Sequence, residues 1–206
     1  MDGELDHEAI FEKAWAAPDT TAVELPRVRV NEVLRERYDV RPPFEYTGAR
    51  LWDMEVRKAA APDVYLLGVR PGSAEKFPSV RHGRFEDFTR VSDQRLWADR
   101  ERYGTVIEHV RLDHENRRAF FLGAERFTAP DGRTFTAGAE QPIFHVEHSV
   151  AGPEDDPLNL WRIVLLTDAP GEALSRAFDD LADDRHLRDF IEIHLREDLG
   201  REVNRR

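Results

Sequence analysis

The sequence contains no cysteine, and only three of its 30 basic residues are lysines. The absence of cysteine excludes disulfides, zinc–thiolate sites and iron–sulfur clusters, so any metal ion has to be bound by His, Asp or Glu. No uninterrupted apolar stretch approaches the roughly 18 residues that a membrane span needs. Residues 1–20 carry acids and no apolar run, which is unlike a secretion signal. We therefore expect a cytoplasmic protein that does not bind membranes.

The formal net charge is -11, from 41 acidic and 30 basic residues. Such a charge opposes binding to nucleic acid unless basic side chains gather on one face. A length of 206 residues suits one compact core. We expect a single α+β domain over 1–206, with a helical extension over 1–43 and a sheet plus C-terminal helix over 44–200.

Three helices are predicted in the first third of the chain. Apolar residues recur at helical spacing over 5–17, and Pro18 ends that pattern. A second helix begins at Asn31, a good N-cap, and runs to residue 38. The third spans 48–61, where the apolar face carries one acid, Glu55.

The segment that follows combines short apolar runs with turn residues. Residues 64–69 form a compact apolar run between prolines, which predicts a buried strand. Residues 84–91 predict another strand. Ser92 is a good N-cap, and we expect a short helix from it to Arg100.

The pattern from 105 to 167 predicts an antiparallel meander. Strands over 105–112 and 118–128 are joined by the turn 113–116. Residues 143–150 alternate between two faces, and the run 158–167 is apolar on both faces, as in a central strand.

Two helical stripes follow the predicted meander, over 174–181 and 187–199. They are compatible with one bent helix or with two separate helices. We expect residues 201–206 to be frayed.

This order of elements resembles that of helix-grip folds of the lipid-transfer and polyketide-cyclase kind. The resemblance covers residues 44–200 and includes the turn Leu-Asp-His-Glu-Asn-Arg-Arg at 112–118. It implies a curved antiparallel sheet that wraps around a long C-terminal helix, with a cavity between the sheet and the helix. A lipocalin-like barrel and a ferredoxin-like sandwich are the alternatives.

His148 is the main catalytic candidate, because alternation places it on the apolar face of the strand 143–150. A neutral imidazole there can polarise a substrate carbonyl or act as a general base. Glu125 and His109 are candidate helpers, Glu125 because it shares a face with aromatic residues in the strand 118–128. The pocket-lining candidates are Phe144, Val146, Val150, Phe121 and Trp161. A core role for His148, and an ion pair for Glu125, are the structural alternatives.

A second arrangement of the same strands predicts a metal site. His145 and Glu147 share the other face of their strand, and His109 lies beside them if its strand is a neighbour. Two imidazoles and a carboxylate are a ligand set for zinc or non-haem iron.

Three functions follow from these patterns. The first is a small-molecule-binding protein that acts without a cofactor as a cyclase, dehydratase or isomerase on an apolar ligand. The second is a metal-dependent enzyme that uses His109, His145 and Glu147. The third is a non-catalytic interaction or accessory protein without a cavity, whose acidic surface docks on a basic partner. A homodimer is compatible with each of them.

Overall fold

The computed structural model describes residues 5–206, and the first four residues of the predicted N-terminal extension lie outside them. Nine strands of the described part form one antiparallel sheet, in the order β1-β12-β11-β8-β7-β6-β4, with β2 beside β12 and β5 beside β6. The strands of this sheet are β1 Thr21–Glu24, β2 Val28–Arg29, β4 Glu75–Lys76, β5 Val80–His82, β6 Phe85–Arg95, β7 Tyr103–Asp113, β8 Arg118–Gly123, β11 Phe144–Ala151 and β12 Leu158–Leu165.

Two small ribbons and seven helical segments complete the described chain. The ribbons are β9 Arg126–Thr128 with β10 Thr134–Thr136, and β3 Tyr38–Arg41 with β13 Glu202–Arg205. The helical segments are α1 His7–Trp15, α2 Val30–Arg37, α3 Gly48–Ala60, α4 Pro62–Tyr65, α5 Glu172–Asp183, α6 Asp189–Ile193 and a π-helical turn, His194–Asp198, that continues α6. No helix among residues 5–206 is long and apolar enough to cross a membrane.

Helix α1 covers the outer face of the main sheet over β8, β11 and β12. Asp6 accepts a hydrogen bond from the backbone N–H of Ala9 and so starts this helix. The helix then buries Phe11 completely, in a cluster with Phe120, Leu122 and Val164. Burial of a phenylalanine side chain stabilises the fold by about 1.5–3 kcal/mol. This part of the outer face is therefore closed by the N-terminal helix.

The inner face of the sheet holds the large core and packs against α3, α5 and α6. Thr47 accepts a hydrogen bond from the N–H of Arg50 and begins α3. Side chains one turn apart on α3 then share the stripe that faces the sheet. That stripe is buried, and its members include the charged residues Glu55 and Lys58.

The predicted α+β fold, an antiparallel sheet with C-terminal helical elements, is confirmed. The C-terminal part consists of two helices, because α5 ends at Asp183 and a second helix begins at Asp189. This second helix is short, in contrast to the long helix that the resemblance implies. The segment 1–43 was expected to be helical, but β1 and β2 join the edge of the main sheet.

Three local predictions were wrong. Residues 64–69 are not a strand: Pro62 starts the short helix α4, and Val64 and Leu67 are exposed. Ser92 caps no helix, because it lies in β6, and eleven residue pairs with β7 outweigh the local capping signal. The chain end at 201–206 is ordered by pairing of β13 with β3, where Val203 is buried.

The N-cap prediction for Asn31 was also wrong. This side chain lies inside α2, where its amide nitrogen donates to the carbonyls of Tyr46 and Asp155. Its oxygen accepts from the N–H of Tyr46. The amide therefore fixes the loop before α3 instead of starting α2.

Candidate functional site

A pocket of about 440 Å³ lies between the inner face of the sheet, the end of α3 and the C-terminal helices. It is partly open to solvent. Aromatic and aliphatic side chains make most of its wall. The lining side chains include Lys58, Arg90, Phe121, Phe144, Val146, His148, Trp161, Phe178, Arg188 and Phe190.

The floor of the pocket carries a buried ion pair from one turn of α3. Lys58 lies three residues after Glu55, and its ammonium group contacts the Glu55 carboxylate. Both side chains are almost completely buried. The amide of Asn159 on β12 donates to the second carboxylate oxygen of Glu55 at 2.8 Å. Glu55 is therefore held from two sides, and Lys58 reaches the pocket.

His148 on β11 contacts this ion pair. Its Nδ1 lies 3.0 Å from Nζ of Lys58 and 3.8 Å from the Glu55 carboxylate. The imidazole stacks on Trp161 at a centroid distance of 4.8 Å and meets the edge of Phe190 at 5.7 Å. These rings fix the plane of the imidazole. Glu55, Lys58 and His148 are called the triad below.

The pKa values of the triad follow from burial. Burial lowers the pKa of Lys58 to about 8, although the charge of Glu55 opposes this shift. Burial also lowers the pKa of His148 well below its usual range, helped by the positive charges of Lys58, Arg90 and Arg188. At neutral pH the imidazole is therefore neutral, and Lys58 is mostly protonated.

These protonation states determine the tautomer of His148. A protonated Lys58 can only donate, so Nδ1 of the neutral imidazole accepts and the proton lies on Nε2. No described residue forms a hydrogen bond with Nε2. The imidazole consequently offers an N–H donor to a ligand in the pocket.

A second buried ion pair supports the triad from the sheet. Nε of Arg90 donates to Glu108 at 2.7 Å, and Nη1 donates to the carbonyls of Lys58 and Ala59. These carbonyls belong to the last turn of α3 and have no partner within the helix. Arg90 therefore fixes the end of α3, and with it the position of Lys58.

The structure does not bring the three predicted catalytic residues together. His148 lines the pocket, whereas His109 lies on the outer face, where Nδ1 is 2.9 Å from Oγ1 of Thr89. Glu125 is exposed, because the strand breaks between β8 and β9 and the alternation does not continue to it. Glu125 and His109 are thus removed as helpers of His148.

The metal site predicted from His109, His145 and Glu147 is not formed. Strand β8 lies between the two histidines: Leu122 pairs with His109 of β7 on one side and with His145 of β11 on the other. Within residues 5–206, no group of three such side chains could hold a metal ion. Glu147 instead bridges two arginines under α1, Arg118 and Arg162.

Four of the five predicted pocket residues line the pocket: Phe121, Phe144, Val146 and Trp161. Val150 belongs to the adjoining core. The third functional hypothesis required an interior without a cavity, and the observed pocket is at odds with it.

Sequence reasoning missed Glu55, Lys58 and Arg188. A signal for the first existed, since Glu55 interrupts the apolar face of a predicted helix. A charge at such a position needs a buried partner, and Lys58, one of three lysines in the chain, stands three residues later.

No protein-family model matches the sequence, and neither does any curated protein. Among solved structures, Zhui aromatase/cyclase from Streptomyces sp. R1128 is 12% identical over 86% of this chain and 95% of its own, with a TM-score of 0.47. Ara h 8.0201 is 9% identical over 84% of this chain and 95% of its own, with a TM-score of 0.48. The di-domain ARO/CYC StfQ from the steffimycin biosynthetic pathway is 14% identical over 79% of this chain and 44% of its own, with a TM-score of 0.42. Similarity at this level concerns the arrangement of sheet and helices alone.

Proposed function

We propose that the protein binds a small, largely apolar carbonyl compound and catalyses proton transfer on it, as in a cyclisation, dehydration or isomerisation. The observation that supports this proposal is the triad at the floor of the pocket, where His148 lines the pocket and its Nε2 has no hydrogen-bond partner among the described residues. The helpers of His148 are Lys58 and Glu55.

The pocket combines the two properties that such chemistry requires. Its walls are aromatic, with Phe121, Trp161 and Phe190 around the imidazole, which favours a flat apolar ligand. Its floor also holds polar groups in fixed positions, among them Lys58 and His148, and a donor that is already in position stabilises developing charge better than water does. A ligand of this kind would place its carbonyl oxygen at Nε2 of His148.

The chemical step is the formation of an enol. As a proton leaves the carbon next to the carbonyl group and passes to water at the open side of the pocket, Nε2 gives its proton to the carbonyl oxygen. Nδ1 then takes a proton from Lys58, which becomes a neutral amine beside Glu55. When water returns a proton to the carbon, the enol O–H gives its proton back to Nε2 and Nδ1 gives its proton back to the amine of Lys58, so the triad and the solvent regain their starting protonation states. The same N–H can protonate a leaving hydroxyl in a dehydration.

The test measures this proton transfer without knowledge of the natural substrate. Aromatic methyl ketones are incubated with the protein in D2O, and loss of the methyl proton signal is followed by NMR. We expect the wild-type protein to accelerate exchange for ketones that bind, and His148→Gln to lower the rate about 100-fold, the usual effect of removing a general acid.

His109→Gln is the matched control, because this histidine lies on the outer face of the sheet. This variant should catalyse proton exchange of the ketones at the wild-type rate. If ketones bind to the pocket but exchange no faster than in buffer, catalysis by the triad is refuted.

A further inference from the structure

The pocket contains a buried positive charge that no carboxylate neutralises by contact. Four lysine and arginine side chains are buried among residues 5–206. The first three form the ion pairs Lys58–Glu55, Arg90–Glu108 and Arg111–Asp87. The fourth is Arg188, and no described carboxylate lies within 4.0 Å of its guanidinium.

Arg188 uses only part of its hydrogen-bonding capacity. It is 5% exposed and lines the pocket directly before α6. Its Nη1 donates to the carbonyl of Leu181 at 2.7 Å. Its Nε and Nη2 form no hydrogen bond with a described residue. Two adjacent donors of a planar cation are therefore unused in a pocket.

The acids next to Arg188, Asp184 and Asp189, also line the pocket, and each has another partner. Asp184 accepts a hydrogen bond from the backbone N–H of His186 at 3.0 Å, and Asp189 pairs with Arg205 at 3.3 Å. Their charges favour the protonated guanidinium from a distance, while burial lowers the pKa of Arg188. A guanidinium stays charged in proteins, so this desolvation has to be offset by a partner.

We propose that Arg188 binds an anionic group of the ligand, a carboxylate or a similar oxyanion, so that the ligand is an apolar acid. This inference rests on the proposed function, because it specifies the ligand of the same pocket. The fork of a guanidinium matches the two oxygens of a carboxylate, with a strength that a neutral donor does not reach. Arg188 and His148 both line the pocket, so one ligand can contact both groups. The acidic group and the reacting carbonyl of one molecule would then be held at two fixed points.

The experiment compares two fluorescent probes with the same aromatic skeleton. Anilinonaphthalenesulfonate carries a sulfonate, and N-phenylnaphthylamine is its uncharged analogue. We expect the wild-type protein to bind the sulfonate about 10- to 100-fold more tightly, as is typical of a charge-assisted contact in a shielded site. Arg188→Gln should remove this preference and leave binding of the neutral probe within about twofold.

Two further variants keep the result open to refutation. Arg185→Gln removes an exposed arginine of the same segment and should preserve the preference. Arg188→Lys keeps the charge and should restore part of the preference, even if Arg188→Gln fails to fold. Equal binding of both probes by the wild-type protein would overturn the anion site but not the pocket. Failure of the wild-type protein to bind either probe would contradict the proposed function as well.

Discussion

Replacement of Lys58 by methionine removes the ammonium group from the buried ion pair and keeps the length of the side chain. The side chains of Lys58 and Glu55 are 2% and 0% exposed. After the substitution, the carboxylate of Glu55 retains only the hydrogen bond from Asn159. Removal of one partner of a buried ion pair costs about 3–5 kcal/mol, because the remaining charge is buried without compensation. This is a large fraction of the roughly 5–15 kcal/mol that stabilises a typical native protein.

Urea unfolding followed by circular dichroism measures this cost. The double variant Glu55→Gln/Lys58→Met removes both charges, and we expect its free energy of unfolding within about 2 kcal/mol of the wild-type value. The control is Lys76→Met, since Lys76 forms a partly exposed ion pair with Glu86 at 3.6 Å. Such a pair contributes at most about 1 kcal/mol.

Two results would contradict this prediction. In the first, Lys58→Met destabilises the protein no more than Lys76→Met. In the second, the double variant is less stable than Lys58→Met alone. Either result would mean that Glu55 and Lys58 do not compensate one another in the folded protein.

Three further predictions concern Arg90, His148 and Glu125. Arg90→Met should lower the free energy of unfolding by about 3–5 kcal/mol in urea titrations, since it leaves Glu108 buried without its arginine partner. Because the pKa of His148 is lowered in the folded state, the unfolded chain binds a proton below about pH 6.5 that the folded protein does not. Stability is thus lost as pH falls, by about 1.4 kcal/mol per pH unit for this group, and unfolding of His148→Gln at several pH values should lack this contribution. Glu125→Gln should change neither stability, within about 0.5 kcal/mol, nor ketone exchange, because Glu125 is exposed outside the pocket.

The sheet and most helices could be predicted because their signals are local. The alternation in 143–150 fixed which face of β11 carries His148, and the turn 113–116 fixed the hairpin of β7 and β8. The predictions that were wrong depended on a distant partner. Ser92 has the local features of a helix cap, yet it lies in a strand because β7 pairs along the whole of β6.

The partners of His148 could not be predicted for the same reason. Lys58 and His148 are 90 residues apart in sequence. Their contact depends on how α3 packs on the inner face of β11. The spacing of apolar residues within either segment does not predict that packing. His109 and His148 lie on opposite faces of the sheet. Alternation gives the two faces of each strand separately, but only the register between β7, β8 and β11 shows that the face of β7 that carries His109 is the one opposite His148.

The protonation state of His148 is the point on which the proposed chemistry depends, and nitrogen NMR of protein labelled at histidine measures it directly. The signal of His148 is assigned by its absence from His148→Gln. We predict a neutral imidazole with its proton on Nε2 at neutral pH, no protonation near pH 6.5, and a change of tautomer as Lys58 loses its proton near pH 8. A His148 that titrates like an exposed imidazole, or that carries its proton on Nδ1 at neutral pH, would contradict the account.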